Sequence, residues 1–144
     1  MDTDIFSLDG LVYRDTLEFA LCDQDGNETA WRLTLAGPGH AATVAFTETR
    51  ANIARKREAE RLAAERKGKV WLPPPSSELN AEFAAQFAPR ILGWSPVKIG
   101  GEIFAYSAEN AHRVMSEPKL AFVASQIVEQ ANRLDDFFVK PAKA

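Results

Sequence analysis

The sequence is poor in the residues that form disulfides, metal sites and membrane spans. It has one cysteine, Cys22, and two histidines. A single cysteine cannot close an internal disulfide, which excludes an extracellular fold held by disulfide bonds and favours a reducing compartment. No apolar run approaches the roughly 18–20 residues of a membrane span, and the first ten residues are acidic where a signal peptide would be basic. We therefore expect a cytosolic protein without a membrane-spanning segment.

Motifs of catalysis and cofactor binding are also missing. His40 and His112 lie far apart in the sequence, and no group of cysteines and histidines has the spacing of a zinc site. The phosphate-binding loop, the dinucleotide-binding glycine pattern and the nucleophile elbow of hydrolases are all absent. Cys22 is interpreted as a small packed hydrophobe. The sequence therefore supports no enzyme and predicts neither a cofactor nor a metal.

The overall composition is that of an ordinary globular protein. With 144 residues the chain is long enough for one domain or for two very small ones. A net charge of −3 gives no general reason to expect nucleic acid or an anionic membrane as a partner.

The N-terminal part predicts a β-hairpin. Apolar and polar residues alternate from Thr16 to Cys22 and again from Thr29 to Ala36, which is the period of a half-buried strand. The two segments are joined by a turn built around Asp25-Gly26. The following residues, 41–47, are predicted either as a third strand or as the start of a helix.

The next stretch predicts a long helix, over 48–67, rich in alanine, glutamate, arginine and lysine. Over 48–69 the chain carries eight lysines and arginines against four acidic residues. One interpretation is a solvated helix held by charge pairs one turn apart. The other is a basic contact surface, with Arg55, Arg57 and Arg61, for an acidic protein or for nucleic acid. Nucleic acid is the less favoured partner, because no aromatic residues are interleaved with the basic ones.

Three consecutive prolines, Pro73-Pro74-Pro75, divide the chain. They favour a stiff polyproline II spacer. We therefore predict three parts: a β-hairpin with a long basic helix over 1–70, a proline-rich linker over 71–77, and an α-helical module over 78–144.

The C-terminal part predicts three helices. Leu79, Phe83 and Phe87 recur every fourth residue, as on one face of an amphipathic helix. Ser77 is the predicted N-cap of this helix. Ser107 has the position of an N-cap for a short helix over 108–116. The third helix follows the break at Glu117-Pro118.

The third helix has the strongest periodic signal in the chain. Pro118 suits a first helical position, and an apolar stripe about 100° wide continues from there to Phe138. Phe122 falls on the polar face and Phe137 at the edge of the stripe. Taken over the whole chain, the predicted core residues are Trp31, Leu33, Phe83, Phe87, Trp94, Leu120, Val123, Ile127, Leu134 and Phe138.

The predicted fold class is α+β. It consists of an N-terminal antiparallel β-hairpin or meander with a long helix, followed by a small three-helix module.

Several short motifs follow one another in the C-terminal block. In chain order they are Gly93-Trp94-Ser95, Tyr106-Ser107-Ala108-Glu109-Asn110-Ala111, the break at Glu117-Pro118, and Arg133-Leu134-Asp135-Asp136-Phe137-Phe138. This block resembles the tail assembly chaperones of siphophages, which typically show a GWS…(F/Y)SPENA pattern here. The front half is similar too, with Leu33-Thr34-Leu35-Ala36-Gly37-Pro38 ahead of an arginine-rich helix.

The resemblance implies a non-catalytic chaperone in the cytoplasm of an infected bacterial host. Such proteins bind the tape-measure protein and tail-tube subunits during tail assembly. The predicted partner-binding residues are the apolar Phe122, Phe137 and Val139, together with Arg55, Arg57 and Arg61. Packing of the two phenylalanines against the N-terminal part is the alternative for those residues. The alternative function is a permanent virion component, at the head–tail connection or on the tail surface. A homo-oligomer is compatible with both functions.

Overall fold

The predicted hairpin forms the start of the fold. In the computed structural model, which describes residues 5–139, β1 (Thr16–Cys22) pairs antiparallel with β2 (Glu28–Ala36). Leu17 lies opposite Leu35 and Phe19 opposite Leu33, so the apolar residues of both strands share one face. The turn needs a positive φ at Gly26, where φ is 83°. The fold class is α+β, as predicted.

A third strand completes the sheet, and the sequence pattern did not reveal it. β3 (Ile91–Trp94) pairs antiparallel with β2, which gives the strand order β1-β2-β3. The four residues are too short and too uniformly apolar to show the alternation of a half-buried strand. Their pairing partner lies more than fifty residues earlier in the chain.

The long helix α1 (Ala41–Arg66) includes residues 41–47, which were predicted either as a third strand or as the start of a helix. These residues therefore begin the helix. His40 caps it, because its Nδ1 accepts a hydrogen bond of 3.0 Å from the N–H of Ala42. With 26 residues α1 is about 39 Å long. Its first half packs on the body through Thr43 and Phe46, and its second half is mainly exposed.

The proline-rich residues lead directly into α2 (Ser76–Phe87). Gly68, with a φ of 66°, follows the end of α1 in the way expected for a glycine after a helix C-cap. Residues 69–75 have no regular secondary structure. Pro75 occupies the N-cap of α2, two residues before the predicted N-cap Ser77, and makes no side-chain cap. The N-cap prediction for Ser77 is therefore wrong.

The remaining elements are short. After a 3₁₀ turn at Ala88–Arg90 and the strand β3, a small hairpin pairs β4 (Lys98–Ile99) with β5 (Glu102–Ile103). Helix α3 (Ala108–Ser116) follows, and the hydroxyl of Ser107 accepts a hydrogen bond from the N–H of Asn110, as its predicted N-cap role requires. A 3₁₀ turn at Pro118–Leu120 precedes α4 (Ala121–Asn132), and a last 3₁₀ turn spans Leu134–Phe137.

One hydrophobic core joins residues from both sides of the proline-rich segment. Leu33, Phe87 and Ile127 are buried in it, and Trp31, Phe83, Trp94, Leu120 and Val123 pack against it. The sheet likewise combines β1 and β2 with the later β3. The division of the chain into 1–70, 71–77 and 78–144 stays a prediction.

The two ends of the described chain lie side by side. The N–H of Arg14 donates to the carbonyl of Phe137 at 2.6 Å, and the N–H of Val139 donates to the carbonyl of Val12 at 2.9 Å. The ring of Tyr13 stacks on that of Phe138, with 5.0 Å between the ring centres. The N-terminal residues thereby cover part of the C-terminal 3₁₀ turn.

Candidate protein-binding surface

Helix α4 is held against the edge of the sheet by both apolar and polar contacts. Ile127 and Ala131, both residues of α4, are buried. Directly before Ile127, the side-chain amide of Gln126 makes two hydrogen bonds with the backbone of Cys22, at the end of β1. This pairing fixes the distance between α4 and the first strand.

A groove of about 370 Å³ lies between the end of β1 and α4. Phe19 and Cys22 contribute to one wall, and Phe122 and Gln126 to the other. Phe122 is 53% exposed, so its ring stands at the rim of the groove with more than half of its surface in water. An exposed aromatic ring beside a groove is typical of a protein-binding surface.

Charged residues surround the groove on the α4 side. Arg133 pairs with Glu129, one turn before it, at 2.5 Å, and Gln130 donates to a carboxylate oxygen of Asp136 at 2.9 Å. These groups are well exposed, and such surface pairs contribute little to stability. They add polar groups around the apolar rings of Phe19 and Phe122, and protein interfaces combine apolar and polar contacts in this way.

The predicted role of Phe137 as a surface residue is wrong. Phe137 is fully buried, with 0% of its surface exposed. The reason is the end of α4 at Asn132, because the chain turns there and residues 134–137 form a separate 3₁₀ turn. The apolar stripe of one continuous helix therefore does not extend to Phe138, as predicted, but ends with α4 at Asn132.

The core prediction for Leu134 is wrong for the same reason. This residue was predicted in the core and is 48% exposed. Phe138, also predicted in the core, is half-buried, and its ring stacks on Tyr13. Val139, a predicted partner-binding residue, is 44% exposed, although its backbone pairs with Val12.

The three arginines predicted as a contact surface on α1 have different environments. Arg57 binds within the chain, since its Nη2 lies 2.5 Å from Oε2 of Glu82 on α2. Its role in partner binding stays a prediction, and its guanidinium is already paired within the chain. Arg55 is exposed and its guanidinium donates to the side chain of Asn52. Arg61 is exposed and pairs with both Glu58 and Glu65, the charge pairs of a solvated helix.

The N-terminal residues add apolar surface that the sequence analysis did not single out. Ile5, Phe6 and Leu8 are each about 70% exposed. A few residues after the C-terminal end of α1, Val70 and Leu72 are 86% and 78% exposed. Periodicity cannot identify such residues, because they lie in segments without a regular repeat; their signal was the presence of large apolar residues in segments with no predicted packing.

The side chains that could take part in catalysis or metal binding lie on different elements of the fold. His40 caps α1, His112 is exposed on α3, and Cys22 is half-buried beside the groove. Within residues 5–139, no three histidine, cysteine or acidic side chains cluster closely enough to hold a metal ion. No helix formed by these residues has both the length and the apolar character to cross a membrane.

Comparison with protein-family models, with curated proteins and with solved structures gives no match to this chain.

Proposed function

We propose that this chain is a non-catalytic tail assembly chaperone, which binds the tape-measure protein and tail-tube subunits of a phage during assembly. The motifs around Gly93-Trp94-Ser95 and Tyr106-Ser107 support the family. The observation that carries the proposal is the half-exposed ring of Phe122 beside the groove between β1 and α4. Apolar groups of this kind bind the apolar face of a partner helix.

The interface proposed for the tape-measure protein is centred on Phe122. Val139 is the second apolar contact, because it stays exposed at the end of the described chain. Arg55 and Arg61 are proposed to meet acidic groups of the partner, since both lie on the exposed part of α1. Phe137 and Arg57 are left out of the interface, because Phe137 is buried and Arg57 is largely covered where it pairs with Glu82 on α2.

Co-expression with the tape-measure protein of the same phage, followed by a pull-down, tests the proposal. The wild-type chain is expected to capture the tape-measure protein and keep it soluble. Phe122→Ser should abolish capture without changing the melting temperature. Leu134→Ser is the matched control, because Leu134 is equally exposed but does not line the groove. Equal capture by Phe122→Ser and wild type would contradict the proposal.

A permanent virion component is the second candidate function. The exposed Ile5, Phe6 and Leu8 favour it, because subunits of a finished particle cover residues of this kind with neighbouring subunits. Mass spectrometry of purified particles separates the two functions. A chaperone is absent from the particles, whereas a structural subunit is present in many copies.

A further inference from the structure

Arg90 is a buried arginine that has no acidic partner among residues 5–139. It closes the 3₁₀ turn Ala88–Arg90 and is only 8% exposed. Its Nε is shielded from solvent and has no hydrogen-bond partner in the part of the chain that the structure describes. Every arginine ion pair formed within residues 5–139 belongs to another arginine. Burial lowers the pKa of the Arg90 guanidinium from its ordinary value, because removal from water disfavours the charged form.

Two aromatic rings hold the guanidinium in place. Its Cζ lies 5.1 Å from the centre of the Phe46 ring and 5.0 Å from that of Phe87. The two ring centres are 5.6 Å apart. These three distances form a nearly equilateral triangle, so both rings lie on the same side of the cation. The rings attract the positive charge of the guanidinium, but they do not accept hydrogen bonds from the N–H groups in its plane.

Arg50 provides a comparison on the same aromatic cluster. Its Cζ lies 5.6 Å from the centre of the Phe83 ring. Unlike Arg90, it donates to Gln86 at 3.1 Å and lies 3.5 Å from a carboxylate oxygen of Glu82. At the seam between α1 and α2, Arg50 therefore has acceptors from this chain, whereas Arg90 has none among the described residues.

We propose that Arg90 receives a carboxylate from an acidic side chain of the partner protein, an inference that rests on the proposed function. A guanidinium matches a planar carboxylate with two parallel N–H···O bonds. A phosphate group is usually bound by several donors or by a helix N-terminus; here the neighbouring cation, Arg50, is already paired with Glu82. Within residues 5–139, Arg90 thus lacks a counter-charge, and a single carboxylate would supply it. Cation–π contacts hold the guanidinium ready, so little is lost in ordering it on binding.

The anion site is tested first on the wild-type full-length chain by NMR of the arginine Nε–H groups. The probes are sodium acetate, sodium sulfate and sodium chloride at equal ionic strength. We expect acetate to shift the Arg90 resonance in a saturable way, while the exposed Arg32 responds equally to all three salts. The absence of an acetate-specific shift overturns the proposal. Saturation at lower concentration by sulfate than by acetate overturns the choice of a carboxylate.

The protein source of the carboxylate is tested with the tape-measure pull-down. Arg90→Met keeps an apolar side chain against Phe46 and Phe87 but removes the donors. It should weaken capture by about tenfold or more, the effect of losing a charged hydrogen bond, and Arg32→Met should not. Wild-type capture by Arg90→Met, with loss of capture by Phe122→Ser, overturns the role of Arg90 and leaves the proposed function standing. If the wild-type chain captures nothing, the proposed function fails, and a saturable acetate shift still supports the carboxylate site.

Discussion

The side-chain amide of Gln126 occupies the place of a neighbouring strand beside Cys22. Its Oε1 accepts from the N–H of Cys22 at 2.7 Å, and its Nε2 donates to the carbonyl of the same residue at 3.0 Å. β1 is an edge strand, so these backbone groups have no strand partner on that side. One side chain thus satisfies both groups and anchors α4 beside the groove.

Replacing Gln126 by alanine should lower the free energy of unfolding by about 1–3 kcal/mol. The substitution removes two hydrogen bonds and leaves a partly buried N–H without an acceptor. Urea denaturation followed by circular dichroism measures the change. Gln24→Ala is the control, since Gln24 is exposed on the turn and should change stability by less than about 0.5 kcal/mol.

Gln126→Glu tests the same pairing by pH. The introduced carboxylate still accepts from the N–H of Cys22, but it cannot donate to the carbonyl and faces that oxygen with a negative charge. Folding should therefore raise the pKa of the new carboxyl, and the variant's loss of stability should grow as pH rises through that pKa. Melting temperatures of variant and wild type should converge toward pH 4. A constant difference would mean that the donor to the carbonyl is unimportant.

Phe137→Ala should be among the most destabilising substitutions in the chain. Phe137 is fully buried, and removal of a buried phenyl ring costs about 3–5 kcal/mol. Phe122→Ala should change the free energy of unfolding by less than about 0.5 kcal/mol, because that ring is more than half exposed. Chemical denaturation of the two variants compares them directly. Similar losses in both would contradict the different positions of the two rings.

Gly37 should not tolerate a side chain. Its N–H donates to the carbonyl of Asp15 at 2.7 Å, and a Cβ at this position would lie 2.1 Å from the carbonyl oxygen of Arg14. Gly37→Ala must displace backbone and should cost about 1–3 kcal/mol or more. Gly39→Ala is the matched control two residues away, where a Cβ meets nothing within 4 Å. Thermal unfolding should show a loss for the first variant alone.

Glu82 should matter more to stability than the acidic residues on the exposed face of α1. Its carboxylate joins α1 to α2 by pairing with Arg57 at 2.5 Å and Arg50 at 3.5 Å. Glu82→Gln leaves both partly covered arginines without their counter-charge and should cost about 1–2 kcal/mol. Glu58→Gln, which breaks an exposed pair with Arg61, should lower the melting temperature less. An equal effect of the two substitutions would show that the contact between the helices contributes nothing beyond a surface pair.

The C-terminal helix shows where sequence periodicity stops being informative. The apolar stripe correctly predicted the helix that buries Ile127 and Ala131. It failed beyond Asn132, where the helix ends and Leu134 and Phe137 exchange the environments predicted for them. A repeat of 3.6 residues describes a helix while it continues, but it contains no information on where tertiary contacts redirect the chain.

The sequence by itself determined the hairpin, its turn, the existence of the helices and the cap at Ser107, because each depends on residues within a few positions of one another. The tertiary structure alone decided the pairing of β3 with β2, the burial of Phe137, the binding of Arg57 by Glu82 and the lack, among residues 5–139, of an acceptor for Arg90. These features depend on contacts between residues that are distant in the chain, and neither alternation, helical period nor local charge specifies which distant partner a residue meets.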